Sequence, residues 1–393
     1  MSAPGLVVDP DRLLDPDLHA EGDPHAVWSW MRDQAPVHRH EDGALPSFWS
    51  LTRYADVRDA YRDPAVFSSA HGVLLRPTAL GADPGAGLTL ALTDDPRHHD
   101  LRAAVADWFS TRSVRDLEDF LRAAARRVLA EAVDRGTFDV VHDLVGPLSM
   151  ATIGHIVGVP AADHAALVRW TDEAFAAGIS LAGHQELMRY FADLIDLRVA
   201  EPRDDVVSAL VGAEVDGDLL AEEEILLNCE NLIGATENGR LALAGGIEAF
   251  LDHPQEWDRL RADRSLLAGA VEEVLRWTSS AVHSMRTTTR PVEVAGTPIG
   301  AGERVVVWLP SANRDPAVFA DPHRFDVGRG PNRHVALGGG PHFCLGSILA
   351  RAQGRALLTE LLDAPWRLER AGRGERVRSL AVAGPETLPV RPV

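Results

Sequence analysis

Apolar residues recur along most of the chain at spacings of three and four, the pattern that buries one face of a helix. It predicts helices over residues 24–35, 98–109, 114–135, 144–157, 163–177, 185–201, 221–251, 254–263, 266–278 and 344–362. Strand-like alternation is confined to short pieces at 37–40, 47–51, 291–294, 304–309 and 388–391. The expectation is a mainly α fold with small β-sheets beside a helical body. Proline and glycine are scattered between the periodic segments and no fixed-period repeat occurs, which predicts one domain over residues 1–393.

Two apolar stretches break the simple pattern. Residues 144–162 carry no Asp, Glu, Lys or Arg, yet Pro147, Pro160, three glycines, Ser149, Thr152 and His155 make them poor material for a membrane span. A buried core helix is expected there. Segment 221–251 opens with Glu222, Glu223 and Glu224, which suit the positive end of a helix dipole. At about 1.5 Å per residue it would run on the order of 45 Å. Its middle, Gly234-Ala235-Thr236-Glu237-Asn238-Gly239-Arg240, sets two glycines beside an acid and an amide. Glycine costs a helix roughly 0.5 to 1 kcal/mol against alanine, so two of them suggest close approach by something bulky, a neighbouring helix or a ligand.

Composition narrows the function classes. The chain has 393 residues, 46% of them hydrophobic and 25% charged, which places it among folded globular proteins. Its formal charge of -19 repels phosphate backbones and anionic membranes, and no concentrated basic patch offsets it, so neither nucleic acid nor membrane is expected as a partner. The two cysteines, Cys229 and Cys344, cannot build a disulfide framework or a multi-cysteine zinc site within one chain, and they fit a reducing, cytoplasmic setting. The first seventeen residues carry Asp9, Asp11, Asp15 and Asp17 and no apolar run, so no signal peptide or anchor is expected in them.

The sharpest chemical signal is Leu337-Gly338-Gly339-Gly340-Pro341-His342-Phe343-Cys344-Leu345-Gly346, a glycine-rich loop that delivers one cysteine to the start of a helical segment. A helix N-terminus favours thiolate over thiol, and glycines let backbone approach a flat ligand. A single axial thiolate is one way a protein holds haem iron. Cys229 sits in an apolar run and reads as a core thiol.

On these residues the sequence resembles the cytochrome P450 family, specifically its soluble bacterial members, over essentially the whole chain. Gly338, Gly340, His342, Cys344 and Gly346 match the haem-ligand signature; Leu337 departs from the aromatic residue usual at its position. Glu273-Val-Leu-Arg276 resembles the family's ExxR motif, 71 residues before Cys344. Arg329, in Phe325-Asp326-Val327-Gly328-Arg329, matches the arginine that joins Glu273 and Arg276 in a buried network. The resemblance implies haem b held by Cys344, with Gly234 and Gly346 among the cofactor-binding residues and propionates held by His98, Arg102, Arg286 and His342. His98 and Arg102 stand four apart, on one helix face.

The same resemblance casts Glu237 as the acid of the oxygen-activation stretch. Asn238 stands where the family usually has threonine, and Gly239 follows instead of a second hydroxyl residue. An amide can donate and accept hydrogen bonds but is placed differently. Proton delivery is therefore expected through Asn238 and Glu237, through a group on the substrate, or through water held by the Gly234 backbone. Substrate-facing segments are expected near 70–90, 171–183, 232–239, 279–284 and 381–385, with a mobile lid in the first and a shortened one near 170–190.

What the resemblance implies is a monooxygenase acting on an apolar or aromatic small molecule with O2, using electrons from NAD(P)H through a ferredoxin and its reductase. The alanine-rich, Arg-over-Lys usage points to a GC-rich bacterial genome and, by family analogy, to specialised-metabolite biosynthesis. Oxidative cyclisation, aryl coupling or peroxide-driven oxidation would tolerate the missing threonine. A P450-like domain that only recruits a partner is a further alternative, against which the retention of Cys344, His342 and Glu237 counts.

Overall fold

The computed structural model describes residues 8–77, 80–175 and 181–393, and 54% of it is helical. The main apolar cluster is built from the helices Glu118–Val133, Gly146–Val157, Leu181–Ala200, Glu222–Gly234 and Ser347–Asp363. The last of these is buried on most sides and packs between Glu118–Val133 and Leu267–Thr278. Leu349, Ala352, Ala356, Leu357, Leu358 and Leu361 are buried on more than one flank, so this helix needs neighbours on several sides, and it has them. The mainly α class with small sheets is what the structure shows.

The 144–162 stretch is a core element, as expected. Its helix, Gly146–Val157, follows a wider turn at Val140–Val145 and stops at Gly158, whose φ is 97°. Among the described residues one segment, Val140–Val157, is long and apolar enough to cross a membrane, and 78% of it is buried inside the protein.

The principal sheet has five strands in the order Val37–His40, Phe48–Leu51, Arg304–Trp308, His283–Thr288, Phe67–Ser68. Arg304–Trp308 runs parallel to Phe48–Leu51 and antiparallel to His283–Thr288, so Val305 stands between Trp49 and Arg286. Two elements were not expected from the sequence: the strand His283–Thr288, which buries polar side chains, and the helix Tyr54–Arg62, whose buried face is only Val57, Ala60 and Tyr61. In the strand His283, Arg286 and Thr288 are buried, so there is no apolar alternation to detect.

The expected 98–109 helix is Arg97–Val105 followed by a tighter turn at Ala106–Phe109, and 185–201 begins earlier, at Leu181; other expected helices differ more. Segment 114–135 is interrupted at Leu117, giving Thr111–Asp116 and Glu118–Val133. Segment 221–251 is two helices, Glu222–Gly234 and Thr236–Asp252, broken at Ala235. There the Thr236 hydroxyl donates to the Ile233 carbonyl at 2.6 Å, competing for a helical acceptor next to a glycine. Segment 344–362 begins at Ser347 rather than Cys344. The expected 163–177 helix is His164–Phe175, and its residues 176–177 lie outside the described residues, as do 78–79 of the first substrate-facing segment and 176–180 of the second.

Candidate active site

The glycine loop is shaped by a close approach. Gly338 and Gly340 have φ of 70° and 64°, and a Cβ on Gly340 would lie 1.9 Å from the Tyr61 carbonyl oxygen. Only glycine fits, so the loop seats on the end of the Tyr54–Arg62 helix. The Cys344 N–H donates to Leu337 O at 3.0 Å and closes the loop. Gly346 caps the helix that follows, so Cys344 lies two residues before the cap and not in the first turn.

That placement changes the expected thiolate. Burial pushes the Cys344 thiol up, against the Gly346 N–H and the charges of Arg102 and Arg351, which pull it down. The protein's own field does not hold it ionised; a cation facing the sulfur would be needed. Cys229 is a core thiol as expected, wholly buried and pushed up to about 12.

Four nitrogen-bearing side chains gather around the loop. His98 and Arg102 come from the helix Arg97–Val105, Arg286 from the strand His283–Thr288 and His342 from the loop itself. The His98 and His342 rings lie with centroids 4.0 Å apart. His98 Nδ1 meets Asp95 Oδ1 at 3.1 Å, while its Nε2 is buried without a hydrogen-bond partner. Burial, with His98 and Arg286 adding to it, holds the His342 imidazole near 3 and therefore neutral. Arg286 donates to Ser284 Oγ at 2.6 Å and Met285 O at 2.7 Å, and its guanidinium carbon stands 5.3 Å from the Tyr61 ring centre. Arg102 Nη2 donates to Phe343 O at 2.9 Å.

Among the described residues, no carboxylate lies within ion-pair distance of either Arg102 or Arg286. Burial lowers the pKa of both, so each would be relieved by an anion. Two such arginines and an orphaned buried imidazole nitrogen are the donor set that a ligand carrying carboxylates requires. Haem, with its two propionates and its need for one axial donor, fits these residues.

Glu273, Arg276 and Arg329 meet as the resemblance implies. Glu273 and Arg276 are 0% exposed and paired through two bonds of 2.8 Å. Arg329 Nε reaches both Glu273 oxygens at 3.2 and 3.1 Å. The sequence did not point to Asn332, whose Nδ2 donates to Glu273 at 3.0 Å, or to Asn313, which accepts Arg276 Nη1 on its carbonyl and the Val335 N–H on Oδ1. These bonds carry the network to the residue two before Leu337.

Glu272 is a second link that sequence reasoning missed. It accepts from Arg351 Nε at 2.6 Å and His334 Nε2 at 3.1 Å, joining the helix after the loop to the segment before it. Burial raises the Glu272 pKa, but the His334 and Arg351 hydrogen bonds outweigh it and hold the group at about 2. A carboxyl depressed from its ordinary value near 4.5 contributes stability that is complete above that value and lost as pH falls toward 2. The difference in thermal midpoint between wild type and Glu272→Gln is expected to be largest near neutral pH and to shrink between about pH 4.5 and 2. Thermal melts of both holoproteins across that range check it, and a constant difference would remove Glu272 from the acid response.

The Glu237 carboxylate is engaged. It pairs with Arg240 at 2.6 Å, and Arg240 also meets Asp172 at 2.5 Å. The Asn238 backbone carbonyl accepts the Ser280 hydroxyl at 2.8 Å, which ties the first turn after the helix break to the segment before the strand His283–Thr288. Asn238 Oδ1 is buried and has no partner.

Comparison with known proteins agrees with this geometry. Residues 248–364 match the sequence profile of the cytochrome P450 family. The chain is 37% identical to the steroid C26-monooxygenase of Mycolicibacterium smegmatis, covering 96% of this chain and 95% of that one. It is 34% identical to cytochrome P450 NovI of Streptomyces niveus over the same shares. The crystal structure of P450 OxyD, involved in the biosynthesis of vancomycin-type antibiotics, superposes with a TM-score of 0.89 at 33% identity, covering 96% and 98% of the two chains. The fold and site define a haem-dependent oxidoreductase of the monooxygenase class. The chain belongs to the cytochrome P450 family.

Proposed function

We propose that this protein is a soluble, cytoplasmic monooxygenase of one domain that oxidises an apolar organic molecule in bacterial specialised metabolism. Cys344 would bind the iron of haem b, and His98, Arg102, Arg286 and His342 would hold its propionates. Gly234 and Gly346 would let backbone pass close to the cofactor. The observation that carries this reading is the thiol at the tip of the glycine loop beside two arginines and an imidazole nitrogen without anionic partners.

Bound haem supplies dioxygen activation, with electrons from NAD(P)H through a ferredoxin and ferredoxin reductase. The chain's own contribution is to position and to move protons. Gly346 N–H and the charges of Arg102 and Arg351 favour the thiolate once a cation faces it. Glu237 is committed to Arg240, whereas Asn238 Oδ1 has free capacity at the helix break. Its Oδ1 can take a hydrogen bond from a substrate hydroxyl or amine, or order a water.

Relatives support this range of substrates: one acts at a steroid carbon, and another serves antibiotic biosynthesis. A second reading, oxidative cyclisation or aryl coupling without oxygen insertion, is favoured by Asn238 and Gly239, which offer no hydroxyl. The test is a metabolite panel titrated against the holoenzyme and read by the haem spin-state shift, followed by turnover under 18O2. Label in the product supports monooxygenation; unlabelled, hydrogen-depleted product supports coupling.

Where a group on the substrate completes the proton path, Asn238→Ala is expected to stay coupled, with product per NAD(P)H near the wild-type value. A substrate analogue lacking that group should instead release peroxide. The amide's hydrogen bond is worth roughly 0.5 to 1.5 kcal/mol in the ground state and more where charge develops. Strong uncoupling of Asn238→Ala, corrected by Asn238→Thr, would assign the proton path to the side chain.

A further inference from the structure

Away from the Cys344 loop, Asp11, His38 and His40 converge at the outer strand of the five-stranded sheet. His38 and His40 alternate along Val37–His40, so their side chains leave on the same face. Asp11 arrives from the short turn Pro10–Leu14, where its own N–H is held by Asp9 Oδ1 at 3.0 Å. One ligand atom from each of the three lies within 4.8 Å of the other two. His40 Nδ1 and Asp11 Oδ1 are 2.6 Å apart, and the two histidine rings meet edge to face at 4.7 Å.

We propose that Asp11, His38 and His40 form a binding site for a divalent transition metal, Zn2+ in the first instance, that staples the first turn of the chain to the sheet edge. Two donors at the usual zinc bond lengths stand about 3.3 Å apart in a tetrahedral site, so the widest gap needs to close by no more than roughly 1.5 Å and the His40–Asp11 pair to open by roughly 0.7 Å. A nitrogen-nitrogen-oxygen set suits zinc, nickel or copper and is poor for magnesium or calcium, which take oxygen ligands. Water completes the shell.

His40 is already built as a ligand. It is 1% exposed, stacked on Phe48 with centroids 4.4 Å apart, and its Nε2 contacts Ser50 Oγ at 2.8 Å. The same hydroxyl oxygen accepts the Trp308 indole N–H at 2.8 Å, which fixes it in place. This is the supporting contact that orients a metal-bound imidazole, leaving Nδ1 turned toward Asp11. Binding places the His40 proton on Nε2, donated to Ser50 Oγ, and frees Nδ1. Asp11, 60% exposed, leaves a path for the ion.

The test uses untagged holoenzyme, with Zn2+ titrated against a competing chromophoric chelator. One equivalent should bind, unaffected by excess Mg2+, and both Asp11→Asn and His38→Gln should weaken it at least tenfold. Haem content and the carbon monoxide spectrum should be unchanged in both variants, which separates the site from the Cys344 chemistry. Zn2+ should also slow proteolysis within Pro10–Leu14 in wild type and not in Asp11→Asn. Binding that is non-stoichiometric, or a single equivalent that both variants retain at full strength, overturns the proposal.

Discussion

Replacing Cys344 by histidine is expected to abolish the red-shifted Soret band of the reduced carbon monoxide complex and to bring substrate oxidation to background. Thiolate is a stronger electron donor to iron than neutral imidazole, and both the band and O–O cleavage depend on that donation. No other thiol can substitute. Cys229 is wholly buried in the main apolar cluster, with its thiol pushed up to about 12. The loop should survive the change, because its shape depends on Gly338, Gly340 and the Cys344 N–H bond to Leu337 O, none of which is a side chain. Haem is therefore expected to stay with Cys344→His, held through its propionates. Absorption spectra of the reduced carbon monoxide adduct check this directly, and a red-shifted band in the variant would rule out Cys344 as the axial donor.

Much of the fold is legible because helices leave a strong trace. Helix Leu267–Thr278 was expected from residue 266 and begins one residue later, since Ala270, Val271, Val274 and Leu275 make a regular apolar stripe. Chain breaks that depend on a single side-chain hydrogen bond leave no trace in periodicity. Thr236 sits in an apolar frame that reads as continuous helix, and its hydroxyl bond to Ile233, next to Gly234, stands at the break. The strand His283–Thr288 fails for the opposite reason: His283 and Arg286 are buried by neighbours distant in sequence, so their positions read as surface.

The site divides along the same line. The residues of the glycine loop stand together in the sequence. Tyr61, which fixes that loop through its carbonyl, contributes backbone, and backbone contacts carry no sequence signature. Glu272 was passed over beside Glu273 although its bonds to His334 and Arg351 span the loop on both sides. The Arg240 bond to Asp172 was likewise out of reach, because it joins two helices 68 positions apart.

Glu273→Ala is expected to give mostly haem-free or insoluble protein. The carboxylate accepts from Arg276, Arg329, Asn332 and the Asp326 N–H, and both it and Arg276 are fully buried. Without it, the Arg276 charge keeps only carbonyl partners, Asn313, Pro322 and Arg324. Breaking a buried pair by removing one partner costs about 3 to 5 kcal/mol, a large share of a typical folding free energy of about 5 to 15 kcal/mol. The damage should reach the haem loop, because Asn313 holds the Val335 N–H and Asn332 holds Glu273. Arg329→Met should be milder, since Arg329 is 9% exposed and Glu273 keeps Arg276. Haem-to-protein ratio and urea unfolding of the three proteins check the order. A stable, fully haem-loaded Glu273→Ala would reduce the network to a dispensable pair.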